Sequence, residues 1–210
     1  MLKRKDDLPL EHILAFLERH WKLVTIAAWL LFCAWFVYTR WSSVLAFGLG
    51  DTDDNMRMMQ VRALLGGQDW FDLRQYRLNP PFGANIHWSR FVDLPLAGLI
   101  LLLRPFVGGA DAERAAVTIA PMIPMLLLLF SLALTCRRLI HRAAYPRAFV
   151  ALFFANSAMG MFMPNRIDHP GWQLALLALA IAGLADESRS EVVRSSDSRP
   201  RCRCGSASRC

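Results

Sequence analysis

The chain has 210 residues, 55% of them hydrophobic, and a formal charge of +7. That apolar share exceeds what a soluble domain of this length ordinarily carries, and it comes in blocks, as in a membrane protein. The basic excess is accounted for by Lys and Arg beside those blocks, where they set orientation and meet anionic headgroups, and no stretch resembles a nucleic-acid recognition motif.

Residues 1–21, "MLKRKDDLPLEHILAFLERHW", are too long and too charged for the start of a secretory signal. Leu10, Ile13, Leu14 and Leu17 fall at helical spacing, so an amphipathic helix is expected ahead of the first span. The first span covers 22–40, with Trp21, Trp35, Tyr38 and Trp41 as interfacial aromatics. Residues 41–113 form a long loop. Within it, Leu94 to Leu103 is an apolar run of about 15 Å as a helix, half a bilayer. The second span covers 114–136, with Pro121 and Pro124 expected to kink it. A basic loop, 137–147, leads to a third span at 148–165. A turn at 166–171 precedes a partial fourth span at 172–186, which is short for a crossing.

Charge decides the topology. "KRK" at the N-terminus and "RRLIHRAAYPR" at 137–147 belong on the same, cytoplasmic side. That holds only if Leu94–Leu103 does not cross, so a short helix lying at the outer interface is expected there. The loop 41–113 and the turn 166–171 then share the outer face. The expectation is an all-α polytopic bundle of about four spans with a long structured external loop.

The tail, 187–210, is rich in Ser, Arg and Cys and has no periodicity. The change falls abruptly inside the fourth span. It reads as a frameshift or truncation of a larger protein, with a disordered basic tail as the alternative. The five cysteines lack framework spacing, and Cys202, Cys204 and Cys210 have no His beside them to complete a metal site.

Three stretches on the outer face carry polar chemistry. "GLGDTDDNMRMMQ" gathers Asp51, Asp53 and Asp54. One Asp would cap a helix beginning near Asn55, while three invite a hard divalent cation. "RLNPPFGANIHWSR" is an irregular loop with Trp88 and Arg90 near its end. These two are either interfacial anchors or the border of a pocket for an anionic headgroup. "RIDHPGW" sets Asp168 beside His169 in a turn.

In this order, "DTDDNMRMMQVRALLGG", "NPPFGANIHWSR" and "NRIDHPGWQ" resemble the N-terminal part of the GT-C membrane glycosyltransferases. The pattern is nearest to the oligosaccharyltransferase catalytic subunits and their bacterial relatives. Asp53, Arg62 and Gly67 match the family's first-loop motif. Pro81, Gly83 and Trp88 match the loop before its short non-spanning helix. Asp168 stands at the second acidic motif, although the position two residues on, often acidic in the family, is Pro170. The resemblance implies a polyprenyl-phosphate-linked sugar donor, a divalent cation (Mg²⁺ or Mn²⁺) and transfer on the non-cytoplasmic side. That side would be the periplasmic face of a bacterial inner membrane. It assigns catalysis to Asp53, Asp54 and Asp168, the cation to Asp53 and Asp168, and substrate contacts to Arg62, Trp88 and Arg90. Asp54 is then a further ligand or a general base. The alternatives are a non-catalytic membrane subunit or scaffold and a transporter fragment, although no ionisable residue sits mid-span.

Overall fold

The computed structural model describes residues 7–186. The cysteine-bearing tail and the first residues of the chain, with what was expected of them, lie outside the described residues. Nine helices and one two-stranded sheet make up the described part.

Helix α1 (Asp7–Arg19) leads into α2 (Trp21–Leu45). At 25 residues, α2 is about 37 Å long, enough for a hydrocarbon core. Only 11% of its apolar window is buried, and Leu23, Leu30, Leu31, Trp35, Tyr38 and Trp41 are exposed. A helix apolar all round that leaves most of its surface uncovered needs a lipid-like neighbour.

The loop after α2 holds α3 (Thr52–Leu65) and strands β1 (Arg74–Gln75) and β2 (Ala84–Asn85). The strands pair antiparallel, Arg74 opposite Asn85. Helix α4 (Asp93–Val107) then reverses at Gly108, whose φ of 84° suits glycine, and packs against α5 (Gly109–Ile119). The run of α4 is longer than the ten-residue stretch expected, because Pro105 and its neighbours continue the helix.

Helix α5 passes through Ala120–Pro121 into α6 (Met122–Leu139). The two form a rod of 31 residues, Gly109–Leu139, the second element long and apolar enough to cross a membrane. Pro121, expected to kink the rod, keeps right-handed helical dihedrals (φ −67°, ψ −19°); the hydrogen-bond ladder tightens there, with Ile123 N–H donating to Ala120 O, three residues back, at 3.2 Å.

The expected third span at 148–165 is not one helix. Helix α7 (Tyr145–Phe154) stops at Ala155, where ψ is 74°, and a five-residue α8 (Asn156–Gly160) follows. Asn156, Ser157, Gly160 and Pro164 favour turns over a continuous helix. Helix α9 (Pro170–Leu184), 15 residues long, reaches about 22 Å. Among the described residues, two helices, not four, therefore have the length to cross.

Helix α6 packs on α2, α7 and α9 around Phe36, Met125, Leu129, Tyr145, Phe162 and Ala175. A second cluster, Met58, Val61, Leu96, Ile100, Val117 and Ile167, joins α3 to the α4–α5 hairpin. The basic segment after α6 returns to the N-terminal residues. Arg137 donates to Glu18 O and lies 5.0 Å from the Trp21 ring, and Tyr145 Oη donates to Leu17 O at 3.1 Å. The opposite end is tied by Asn165. Its Nδ2 donates to Ser43 O and Gly48 O, both at 3.0 Å, and its backbone N–H donates to Val117 O. The two acidic motifs thus stand at one end of the bundle and the basic loop at the other.

Asn165 has φ 69°, in the left-handed region that Asn tolerates better than most residues. Asn165→Ala should lower stability by about 2–4 kcal/mol, from lost buried hydrogen bonds plus backbone strain. Asn165→Gly should cost about 1 kcal/mol less, because glycine removes only the bonds. Denaturant titration in detergent micelles measures both, and equal losses would show that the strain term is absent.

Candidate functional site

The three aspartates of the first motif separate by position. Asp51 is the N-cap of α3, its Oδ1 accepting from the N–H groups of Asp53 and Asp54 at 3.0 Å. The helix therefore begins at Thr52, earlier than expected, and Asp51 is the capping residue. Asp53 is exposed on the first turn. Asp54 faces inward with Arg57, Met58 and Val61, which follow at helical spacing, and is fully buried.

Asp54 is what draws the two motifs together. Its Oδ1 accepts from the backbone N–H of Ile167 at 2.7 Å and of Asp168 at 3.0 Å. Its Oδ2 lies 3.1 Å from Arg166 Nη1, which also pairs with Asp51. The chain passes closely here: a Cβ on Gly50 would sit 2.6 Å from Asp54 Oδ2 and 2.5 Å from Arg166 Cδ. Only a residue without a side chain lets the loop run under that pair.

A second ion network lies beside the first. Arg57, 1% exposed, donates through Nη1 to Asp93 Oδ1 at 2.8 Å and through Nη2 to Asp168 Oδ1 at 3.1 Å. The Trp88 ring centroid lies 4.9 Å from the Arg57 guanidinium carbon. His169 Nδ1 is 2.7 Å from the same Asp168 oxygen. Arg90 is buried and structural: it donates to Asp72 O at 2.7 Å and Gln60 O at 3.2 Å and pairs with Asp93. Two arginines thus balance two aspartates in a largely buried region, so removal of any one strands a buried charge.

Burial and partners set the carboxyl pKa values. Burial pushes Asp54 up to about 6, outweighing Arg166 and the two N–H donors. Burial also raises Asp93, despite Arg57 and Arg90. Asp168 is pushed up by burial but held below the usual carboxylate range by its bonds to His169 and Arg57. The Asp54 N–H and then Arg166 lower Asp51.

Over this network opens a cavity of about 490 Å³. Arg57, His87, His169 and Gln173 supply its polar lining, and Trp88, Phe91, Trp172 and Leu176 its apolar one. Phe91 and Trp172 meet edge to face, with centroids 5.3 Å apart. With Nδ1 turned to Asp168, the other ring nitrogen of His169 is the one left for a ligand.

Arg62 stands apart, bound to Glu113 through Nη2–Oε2 at 2.6 Å and Nε–Oε1 at 3.1 Å. It does not line the Trp88–His169 cavity. No three His, Cys, Asp or Glu side chains converge among the described residues. Asp51, Asp54 and Asp168 are each held by an arginine, which leaves Asp53 as the open carboxylate of the first motif. The set fits a cation only in the manner of Mg²⁺, with one or two carboxylates and the remaining ligands from water and substrate phosphate.

Arg57, Asp93 and Arg166 had not been singled out from the sequence. A signal existed for two of them. Arg57 follows Asp54, and Asp93 follows Arg90, at the three-residue spacing that places charges on one helix face.

Compared with models of protein families, with curated proteins and with solved structures, the chain finds no match.

The raised Asp54 has a defined pH signature. Between about pH 4 and 6 the folded chain holds a proton that the unfolded chain has lost. This group's stabilisation is therefore complete below about 4 and disappears as pH rises through about 6. Relative to Asp54→Asn, which does not titrate, the parent chain should lose up to about 3 kcal/mol between pH 4 and 7. Unfolding midpoints of both chains across that range check it, and a pH-independent gap would refute the shift.

Proposed function

We propose that this chain is the site-bearing part of a membrane glycosyltransferase acting on a polyprenyl-phosphate-linked sugar at the non-cytoplasmic face. The observation that carries this reading is the joining of two sequence-distant acidic motifs through Asp54 and the 166–168 segment, beneath a two-faced cavity. A lipid-linked donor has a charged head and a hydrocarbon tail. The cavity pairs cationic and hydrogen-bonding groups with an apolar wall that continues onto the exposed side of α9 at Leu176.

The roles follow from exposure. Trp88 and Trp172 offer faces to the sugar or to the first prenyl units. His169, oriented by Asp168, is the group in reach of an acceptor proton. Arg57 contributes positive charge near the donor phosphate, softened by its two carboxylate partners. Asp54 is sealed from the cavity and acts by positioning, so the base or ligand role expected of it passes to exposed groups. Arg90 likewise positions Asp93. A divalent cation, held by Asp53 and a free edge of Asp168, would offset charge on the departing phosphate. Arg62, on another wall of α3, is not part of the donor site.

One observation favours a non-catalytic subunit instead: each buried carboxylate of the site already has an arginine partner. The two readings separate on ligand binding.

In lipid nanodiscs, Trp88→Ala should weaken binding of a polyprenyl-phosphate-linked sugar by about tenfold or more, as loss of a stacked aromatic does. Asp53→Asn should remove whatever part of that binding depends on Mg²⁺ and leave the rest. Tryptophan fluorescence quenching reads both. Binding no tighter than that of a plain polyprenol would support the subunit reading.

A further inference from the structure

A second cavity, of about 620 Å³, lies at the same end of the bundle as the acidic motifs, between the last turns of α2 and the segment 156–170. Arg40 and Ser43 of α2 form one side, Asn156, Ser157 and Met163 stand on the other, and Arg166 completes the polar lining. It shares no lining residue with the Trp88–His169 cavity.

The lining holds two arginines and no carboxylate. The charge of Arg166 is already answered by Asp51 and Asp54. That of Arg40 is not: among the described residues its one bond runs from Nη2 to the Met163 thioether, at 3.1 Å. Sulfur is a weak acceptor, so an oxyanion readily takes its place. Arg40, Asn156 and Ser157 are all exposed, and the last two make no side-chain hydrogen bond to another described residue. Their donors are open to whatever enters the cavity.

Position supplies the anion. Leu23 to Thr39 carries no charge, and Arg40 is the first charged residue after it, between the exposed rings of Tyr38 and Trp41. In a helix that crosses a bilayer, an arginine set among aromatics at the end of the apolar run stands at the headgroup level. On the hydrocarbon side of Arg40, α2 and α7 meet through aromatic rings. Phe32 stacks on Phe153 with centroids 6.1 Å apart, and Trp35 meets the same ring at 6.2 Å. Trp35, Phe153 and Phe154 remain exposed along that seam.

A cationic, hydrogen-bonding cavity at the end of an apolar seam has the order of a phospholipid, phosphate first and acyl chain after. A metal ion would find no carboxylate in the lining. A phosphomonoester dianion brings two charges to the one that is unanswered, and a phosphodiester brings one. We infer that the cavity at Arg40 holds the phosphodiester of a membrane phospholipid, with an acyl chain laid along Trp35, Phe153 and Phe154. This rests on α2 crossing a membrane and not on the transferase reading.

Native mass spectrometry of the full chain in detergent, titrated with phosphatidylglycerol, tests it. One lipid should bind ahead of any others. Arg40→Gln should weaken that first step about tenfold, as loss of a charge-assisted hydrogen bond does. Its thermal unfolding in lipid-free detergent should match the parent's, because Arg40 gives the fold only a contact to sulfur. Arg104→Gln, at an exposed arginine outside the cavity, should change nothing. Diacylglycerol, which lacks the phosphate, should bind about tenfold more weakly than phosphatidylglycerol. Glycerol 3-phosphate in large excess, which lacks the chains, should not compete. Lipid-linked donor binding read at Trp88 should be unchanged in Arg40→Gln. Undiminished lipid binding in Arg40→Gln, an equal loss in Arg104→Gln, or diacylglycerol bound as tightly would overturn the inference. Competition by glycerol 3-phosphate would overturn the lipid as the source of the phosphate. Loss of donor binding in Arg40→Gln would overturn the assignment to a phospholipid distinct from the donor.

Discussion

A buried carboxylate joins the two acidic motifs of this molecule, beside the tie that Asn165 makes at the same end. Asp54 reaches from the first turn of α3 to the backbone of Ile167 and Asp168, residues more than a hundred positions away, and meets Arg166 on its other side. The link works with the apolar cluster of Met58, Val61 and Ile167 to seat α3, and it sets Asp168 beside Arg57 under the Trp88–His169 cavity. A charge buried this deeply is tolerated only because donors surround it, and the same burial makes it reluctant to ionise.

Around that link the design is one of cancelled charge. Arg57 and Arg90 face Asp93 and Asp168; Arg166 faces Asp51 and Asp54. Such networks are weak contributors to stability but costly to break, and they fix which side chains point where. Here they hold the Trp88 indole against a guanidinium and turn the His169 ring by one nitrogen. Rigid placing of aromatic and imidazole groups around a polar-to-apolar cavity is what a binding site for an amphiphile requires.

The membrane character rests on different physics. Helix α2 leaves most of its apolar surface uncovered, and the α5–α6 rod has the length to cross. The broken stretch from α7 to α9 shows why counting apolar residues overestimates the length of continuous helix. Asn156, Ser157 and Pro164 interrupt the helix while the average hydropathy stays high. The buried donors of this stretch are satisfied by protein: Asn165 is buried against Ser43, Gly48 and Val117.

By itself the sequence determined the helical class, the two long apolar helices and the grouping of the two acidic motifs at one end. Those follow from composition and from charge flanking apolar runs, which are local or additive properties that need no partner. The fate of each aspartate was decided only by the tertiary structure. Asp51, Asp53 and Asp54 are alike as letters, yet one caps a helix, one is exposed and one is buried, because helical rotation turns neighbours to different sides. Arg62 and Arg90 were read as substrate contacts, and the fold gave them to Glu113 and Asp93 instead. A guanidinium takes whichever carboxylate packing brings within reach, and that pairing spans α3 to α5 for one and lies within the entry to α4 for the other. For Arg62, paired 51 positions away, no spacing in a linear chain encodes such a choice.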